Sequence, residues 1–473
     1  MQKLKLGLFG IGLEAYWPQF IGLKESLEAN LQKVETKLQR NDVQIINAGL
    51  VDTIDKAFET SSLFRRNEVD IIFLYVTTYA LSATVLPLVR NVKVPVIILN
   101  LSPKSNIDYA SFNQMNDRTQ MTGEWLKYCS ACPVPELANV FIRSNIPFFQ
   151  VTGILDNDPI AWNEIDEWVN AARVMFHLSH NRLGCMGHYY SGMLDIYTDL
   201  TLQCATFGGH IELLEVDELS ALRKSITNEQ IETELEVFGQ KFEILSECSE
   251  YELKRAAKTS VALKMLVNKY KLGSMAYFYK GSGNEENEDT MSSIILGTSL
   301  LTASGVPVAG EYEIKNAQAM KIMDLLGIGG SFTEYYAMDF EEDVVLMGHD
   351  GPGHLAIAEG KTKIKPLYVY HGKVGNGLSV EMSVKNGPVT LLSIVESKDG
   401  LKFVVAEAES VSGPILEIGN TNSRYKFPIG ARNFVNQWNQ EGPAHHCAIG
   451  IGHKSSVLKK LSDLLKIKFV KIC

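Results

Sequence analysis

Short runs of apolar, mostly β-branched residues punctuate the first third of the chain, and between them apolar positions recur every three or four residues. The runs are Leu4–Gly10, Val43–Ala48, Val69–Val76, Val94–Leu99 and Pro147–Val151. A strand that is apolar on both sides needs cover on both faces, so such runs separated by amphipathic helices predict a parallel, doubly wound sheet. A second alternation follows a helix expected at Ala161–His177. Its strands are expected at Arg182–Met186, His210–Val216, Ser274–Tyr279 and Val306–Ala309, and its helices at Asn228–Ile244, Glu250–Tyr270 and Thr290–Ser304. Within it, Gly281–Asp289 reads as a solvated loop, because consecutive carboxylates repel one another.

After about residue 330 the texture changes. The segments Val344–Met347, Leu367–Tyr370, Leu378–Val384, Val389–Val395, Phe403–Glu409 and Ile415–Ile418 alternate or run apolar, with turns at Lys385-Asn386-Gly387-Pro388 and Lys398-Asp399-Gly400. Hairpin turns at this spacing predict an antiparallel sheet or small barrel. A helix at Ser455–Leu465 and a strand at Lys468–Ile472 finish the chain. The expected fold is therefore α/β: two doubly wound parallel-sheet (Rossmann-like) domains, at 1–172 and 173–329, followed by a β-rich, barrel-like C-terminal domain at 330–473.

Composition narrows the partners. With 473 residues and 45% hydrophobic residues, each domain has enough apolar material for a core. A net charge of −10 argues against a nucleic-acid groove or an anionic membrane surface, and favours a small neutral ligand. The seven cysteines are scattered, and Cys129-Ser130-Ala131-Cys132 has no second pair with which to build a zinc ribbon. They read as reduced thiols, and Met1–Lys5 runs straight into the first strand without a signal-peptide pattern, so a cytoplasmic location is expected. The longest apolar stretch, Ile71–Val89, is broken by Thr77, Thr78, Tyr79, Ser82 and Thr84 and does not read as a membrane span. Gly10-Ile11-Gly12 follows the first strand, but Ala15 stands at the third glycine position of a dinucleotide fingerprint.

Four side chains carry the candidate chemistry: Glu311 in Ala309-Gly310-Glu311, Glu334 in Phe332-Thr333-Glu334, His349 in Met347-Gly348-His349, and His446 in Ala444-His445-His446. Two carboxylates with two imidazoles suit one divalent ion. Carboxylate oxygens favour hard ions such as Mg²⁺ or Mn²⁺, and imidazole shifts the preference toward Mn²⁺ and later metals such as Co²⁺. Each residue also has a plainer reading. Glu311 could cap the helix expected at Ile314–Leu326, Glu334 and His349 could be buried groups satisfied by backbone, and His445-His446 could be a surface pair.

The ordered motifs Ala309-Gly310-Glu311, Gly329-Gly330-Ser331-Phe332-Thr333-Glu334, Leu346-Met347-Gly348-His349, Asn386-Gly387-Pro388 and Gly442-Pro443-Ala444-His445-His446 resemble those of the L-arabinose isomerase family. The resemblance implies Glu311, Glu334, His349 and His446 as Mn²⁺ ligands, with the two glutamates flanking the carbons that exchange a proton through an ene-diol. It also implies a homo-oligomer, a hexamer, in which the first domain of one subunit covers the pocket of another. The chain departs from the family in its sugar-contacting segments. Glu14, Tyr16 and Trp17 replace the family's N-terminal loop residues, and Gly187-His188-Tyr189-Tyr190 replaces an acidic, arginine-containing turn. Candidate substrate contacts are Trp17, His188, Tyr190, His354 and His445.

The resulting expectation is a Mn²⁺-dependent isomerase of a free sugar, L-arabinose to L-ribulose first, with Co²⁺ or Mg²⁺ as alternative ions and no nucleic-acid or membrane partner. Glu311 would come from the second domain and the other three ligands from the third. The rivals are an isomerase of another pentose or of a fucose-like 6-deoxyhexose, and a non-catalytic sugar-binding protein.

Overall fold

Five parallel strands open the chain: β1 (Leu4–Ile11), β2 (Val43–Val51), β3 (Ile71–Tyr75), β4 (Val96–Ser102) and β5 (Phe148–Ile154), in the order β2-β1-β3-β4-β5. The computed structural model describes residues 3–367 and 375–473, and the chain divides into two units, one ending at Phe176 and one starting at His177. In the first unit the central strands are buried on both faces. Phe9, Ile72, Leu74 and Ile98 pack with Phe64 and Phe141, while Leu6, Leu8 and Phe73 are equally buried. The helix Leu23–Leu38 buries Leu23, Leu27, Leu31, Val34 and Leu38, whose steps of four, four, three and four keep them on one stripe. Each fully buried leucine contributes about 1.5–3 kcal/mol.

The second unit begins with another parallel sheet. Its strands are β6 (Arg182–Gly187), β7 (His210–Leu214), β9 (Ser274–Phe278) and β10 (Val308–Ala309), ordered β10-β9-β6-β7, with a detached short strand β8 (Glu243–Ile244) between them in sequence. Because the strands are parallel, the turns after β6, β9 and β10 emerge at the same edge, where open α/β sheets place their ligands.

β11 (Gly329–Asp339) and β12 (Val344–His349) then form an antiparallel pair, and β13 (Lys363–Leu367) and β14 (Gly377–Glu381) join β8 in a three-stranded sheet. With β15 (Gly387–Ser397), β16 (Gly400–Val411), β17 (Thr421–Lys426) and β18 (His446–Ile451), the order β15-β18-β11-β12-β17-β16 closes through a β15–β16 hairpin into a six-stranded antiparallel barrel. A last strand, β19 (Lys468–Lys471), runs parallel to β16 outside the ring. The barrel core includes Val345, Met347, Leu391, Val404, Phe434, Trp438 and Ile449. No helix among the described residues is long and apolar enough to cross a membrane.

The fold is of the class expected, and several local readings are corrected. Ile415–Ile418 is not a strand: Leu416 and Ile418 are exposed, and the adjoining polar segment β17 takes the place in the barrel. Two polar side chains of β17 bond to the segment before it, Asn422 Nδ2 donating to Leu416 O at 3.1 Å and Arg424 Nη1 to Pro414 O at 2.9 Å. Gly281–Asp289 is not wholly a loop either, because Glu285–Ser292 is helical. The Asn284 side chain accepts from the Glu286 and Asn287 N–H groups, and three glutamates in the first turn complement the helix dipole. Asp289 is neutralised by ion pairs to Arg223 and Arg255. Of the run Leu367–Tyr370, positions 368–370 lie outside the described residues.

Candidate metal and active site

Glu311 sits immediately beyond β10, and its backbone is unusual. Glu311 and Tyr312 have φ of 57° and 63°, two consecutive non-glycine residues in the left-handed region, a conformation that costs on the order of 1–3 kcal/mol per residue. The turn is held by Tyr312 N–H to Tyr277 O and Glu313 N–H to Gly310 O, both 3.0 Å. The helix Ile314–Leu325 starts after Glu313, with no side-chain cap bond, so Glu311 does not act as its cap.

Barrel register supplies the other three residues. Glu334 on β11 lies opposite His446 on β18 and opposite Gly348 on β12, and His349 is the next residue along β12. Gly348 is required there, since a Cβ would lie 1.8 Å from Thr421 O on the neighbouring strand. His349 Nε2 is 3.2 Å from His446 Nε2 and 3.9 Å from Glu311 Oε1, and His446 Nε2 is 3.4 Å from Glu311 Oε2. Donors bound cis on one octahedral ion at about 2.1 Å stand about 3 Å apart, so these separations suit three ligands of a single cation. Buried Phe332 packs on both rings, with centroid distances of 4.3 Å to His349 and 4.4 Å to His446.

A second cluster shares His446 and adds Glu334 and His445. His445 Nε2 is 3.6 Å from Glu311 Oε2 and 4.0 Å from Glu334 Oε2, while its Nδ1 lies 2.6 Å from Asp195 Oδ2. The four residues named from sequence therefore form two overlapping groups that meet at His446. Desolvation raises the Glu334 carboxyl above its ordinary value, His446 and His445 pull it down, and Glu311 and Asp350 push it further up. Burial opposes charge on His445, yet hydrogen bonding to Glu311 and Asp195 takes its imidazole up to about 9. A carboxylate of raised proton affinity beside an imidazole is suited to moving protons.

The remaining candidates are more dispersed. His188 and Tyr190 follow β6 and pack on Phe278 at the end of β9, with centroid distances of 5.3 Å and 4.6 Å. His354 is buried beside Gly329, with desolvation lowering its pKa. Gly329 opens β11 and is five residues from Glu334, about 17 Å along a strand. Trp17 belongs to the N-terminal unit, where its Nε1 donates to Asp52 Oδ2 at 2.8 Å. Three residues with no part in the sequence reading flank the cluster. Glu313 Oε2 lies 3.7 Å from His446 Nδ1, Lys315 Nζ lies 3.0 Å from Glu313 Oε1, and Asp195 holds His445. The Glu311-x-Glu313-x-Lys315 spacing was a visible signal, whereas Asp195 gave none. A cavity of about 840 Å³ elsewhere in the unit, lined by Val237, Lys264, Leu301 and Thr362 among others, contains none of these carboxylates or imidazoles.

Residues 329–468, which carry Glu334, His349 and His446, match the L-arabinose isomerase C-terminal domain. Over these residues the chain is similar to the L-arabinose isomerase family, and the match covers the barrel and the closing helix. An L-arabinose isomerase from Shewanella baltica (strain OS223) is 24% identical over 303 residues, 60% of this chain and 58% of that protein. A sulfoquinovose isomerase from Alkalicoccus urumqiensis is 22% identical over 295 residues, 60% of this chain and 62% of that one. The chain thus aligns with less than two thirds of the length of either relative. An ABC-transporter periplasmic solute-binding protein from Actinobacillus succinogenes with bound D-allose aligns over 65% of this chain and 78% of its own at 12% identity, with a TM-score of 0.16.

Proposed function

We propose that this chain is a divergent member of the L-arabinose isomerase family that interconverts a free aldose and its ketose with Mn²⁺, and that L-arabinose and L-ribulose are the first pair to test. The observation that carries the reading is the approach of Glu311, His349 and His446 to within 3.2–3.9 Å of one another, with Glu334 opposite His446 in register. Glu311, Glu334, His349 and His446 would hold the ion, and Co²⁺ or Mg²⁺ are the alternatives. When bound, the cation supplies Lewis-acid stabilisation of negative charge on the sugar's O1 and O2.

The chain's own groups do the proton work. Aldose–ketose conversion moves one proton from C2 to C1 and another between O1 and O2. One of Glu311 and Glu334 takes the C2 proton and returns it to C1, and the other carries the hydroxyl proton. Desolvation raises the proton affinity of Glu334, which favours its accepting a proton in the course of the reaction. His445 offers Nε2 to a sugar oxygen beside the two carboxylates. His188 and Tyr190, at the sheet edge that also carries Glu311, are the proposed sugar contacts, and Trp17 and His354 complete the set to be tested by substitution. The sequence differences lie in these contacts, so the substrate panel includes other pentoses, 6-deoxyhexoses and, from the relative of that name, sulfoquinovose. A homo-oligomer, with six copies as the first expectation, belongs to the same proposal and is read by light scattering.

The test assays purified protein with Mn²⁺ against this panel, alongside Glu311→Gln and Glu334→Gln. Turnover of at least one aldose, lost by 10³-fold or more in each variant, is the expected result. Full turnover in both variants would remove their assigned roles.

A further inference from the structure

Asp195 lies in a one-turn helix, Leu194–Ile196, between β6 and the helix Leu200–Phe207, far in sequence from the barrel histidines. One of its oxygens, Oδ2, accepts from both the backbone N–H of His445 at 3.0 Å and the ring Nδ1 at 2.6 Å. Two bonds to one residue fix the position of its main chain and the rotation of its ring together. With Nδ1 committed to Asp195, the ring presents Nε2 to Glu311 Oε2 and Glu334 Oε2, at 3.6 Å and 4.0 Å.

The segment carrying Asp195 is itself anchored from two sides. Lys315 Nζ, almost wholly buried, donates to the carbonyls of Asp195 at 3.0 Å, Ile196 at 2.9 Å and Tyr197 at 3.4 Å. Glu396 on β15 accepts from the Thr198 hydroxyl and from Asp199 N–H, the latter at 3.2 Å. A buried ammonium spent on three consecutive carbonyls is an expensive way to hold a surface turn. From this turn the Asp195 carboxylate reaches His445 in the cluster. The Asp195–His445 pair is itself partly exposed, with side-chain exposures of 41% and 36%, and such pairs add little to stability. Its worth therefore lies in orientation.

We propose that Asp195 is a positioning residue for His445, holding the imidazole so that Nε2 meets a substrate oxygen between Glu311 and Glu334. This rests on the isomerase reading of the site. A carboxylate behind a histidine fixes ring orientation and basicity, and loss of such a partner in metal sites lowers affinity or activity by about 10–100-fold. Lys315 and Glu396 make the turn a preorganised wall of the site.

The experiment compares the parent protein with Asp195→Ala, Asp195→Asn, His445→Gln and the Asp195→Ala/His445→Gln double variant. Mn²⁺ binding is measured by calorimetry, binding of a linear pentitol to the Mn²⁺-loaded protein by the same method, and kcat and KM on the best aldose. Asp195→Ala is expected to weaken pentitol binding and lower kcat/KM at least tenfold, with Mn²⁺ affinity within threefold of the parent. Asp195→Asn, which keeps an acceptor, is expected to lose less. The double variant is expected to match His445→Gln, because Asp195 acts through that ring. Additive losses in the double variant, or pentitol binding and kcat/KM unchanged in Asp195→Ala, would overturn the positioning role while leaving the isomerase reading standing. A parent protein that binds neither Mn²⁺ nor pentitol overturns the isomerase reading, and this role with it.

Discussion

At the scale of single residues, the cluster is a set of groups whose charges answer one another. Glu334 is raised by desolvation from an ordinary value of 4.5. An acid whose folded pKa exceeds its unfolded one binds more protons when folded, so stability falls as pH rises through that interval. In metal-free protein, Glu334→Gln is therefore expected to melt above the parent at neutral pH, with the difference vanishing as pH drops below about 4.5, as read by thermal denaturation across pH. Lys315 belongs to a different balance. Its ammonium and the Glu313 carboxylate are both buried, and deleting one partner of a buried pair costs about 3–5 kcal/mol. Chemical denaturation of Lys315→Met should show a loss of that size, with a smaller one for Glu313→Gln. The sequence brought Glu311, Glu334, His349 and His446 forward because carboxylate and imidazole are uncommon ends for apolar runs. It was silent on Asp195, since one aspartate in a polar turn looks like any other.

At the scale of elements, legibility followed the periodicity of the strands. β1, β3, β4 and β9 are apolar on both faces and were readable as such, as were the helices Glu250–Tyr270 and Ser455–Leu465. β11, β17 and β18 were not anticipated, although they frame the site. β17 buries Asn422, Ser423 and Arg424, and β18 begins with a buried histidine, so neither shows the expected alternation. Polar groups inside a closed barrel are satisfied by partners distant in sequence, such as Ser423 Oγ accepting from Val384 N–H at 2.8 Å, and no local pattern announces them. Gly348 has the same origin. Gly348→Ala forces a methyl group against the Thr421 carbonyl, and overpacking of this kind costs about 1–3 kcal/mol. Since Gly348 faces Glu334 and precedes His349, the variant is also expected to weaken Mn²⁺ binding, measured by calorimetry beside its denaturation curve.

At the scale of the whole molecule, the two units are separate folding problems, and the metal proposal concerns only the one that starts at His177. A ligand that binds only the folded state adds RT ln(1 + [L]/Kd), about 2.7 kcal/mol at a hundredfold excess over Kd. Mn²⁺ should therefore raise the melting temperature of this unit and chelation should reverse it, while the Glu311→Gln variant should respond far less. Differential scanning calorimetry separates the two units if they melt apart. The ring of the barrel is closed, so Glu334 and His446 stand on strands hydrogen-bonded on either side, whereas His188 and Tyr190 sit in a connection outside any ladder. Inheritance can rewrite the connection freely while the ring resists change. If the proposed sugar contacts hold, a lineage built this way can trade one sugar for another by altering a few turns, keeping the same reaction throughout.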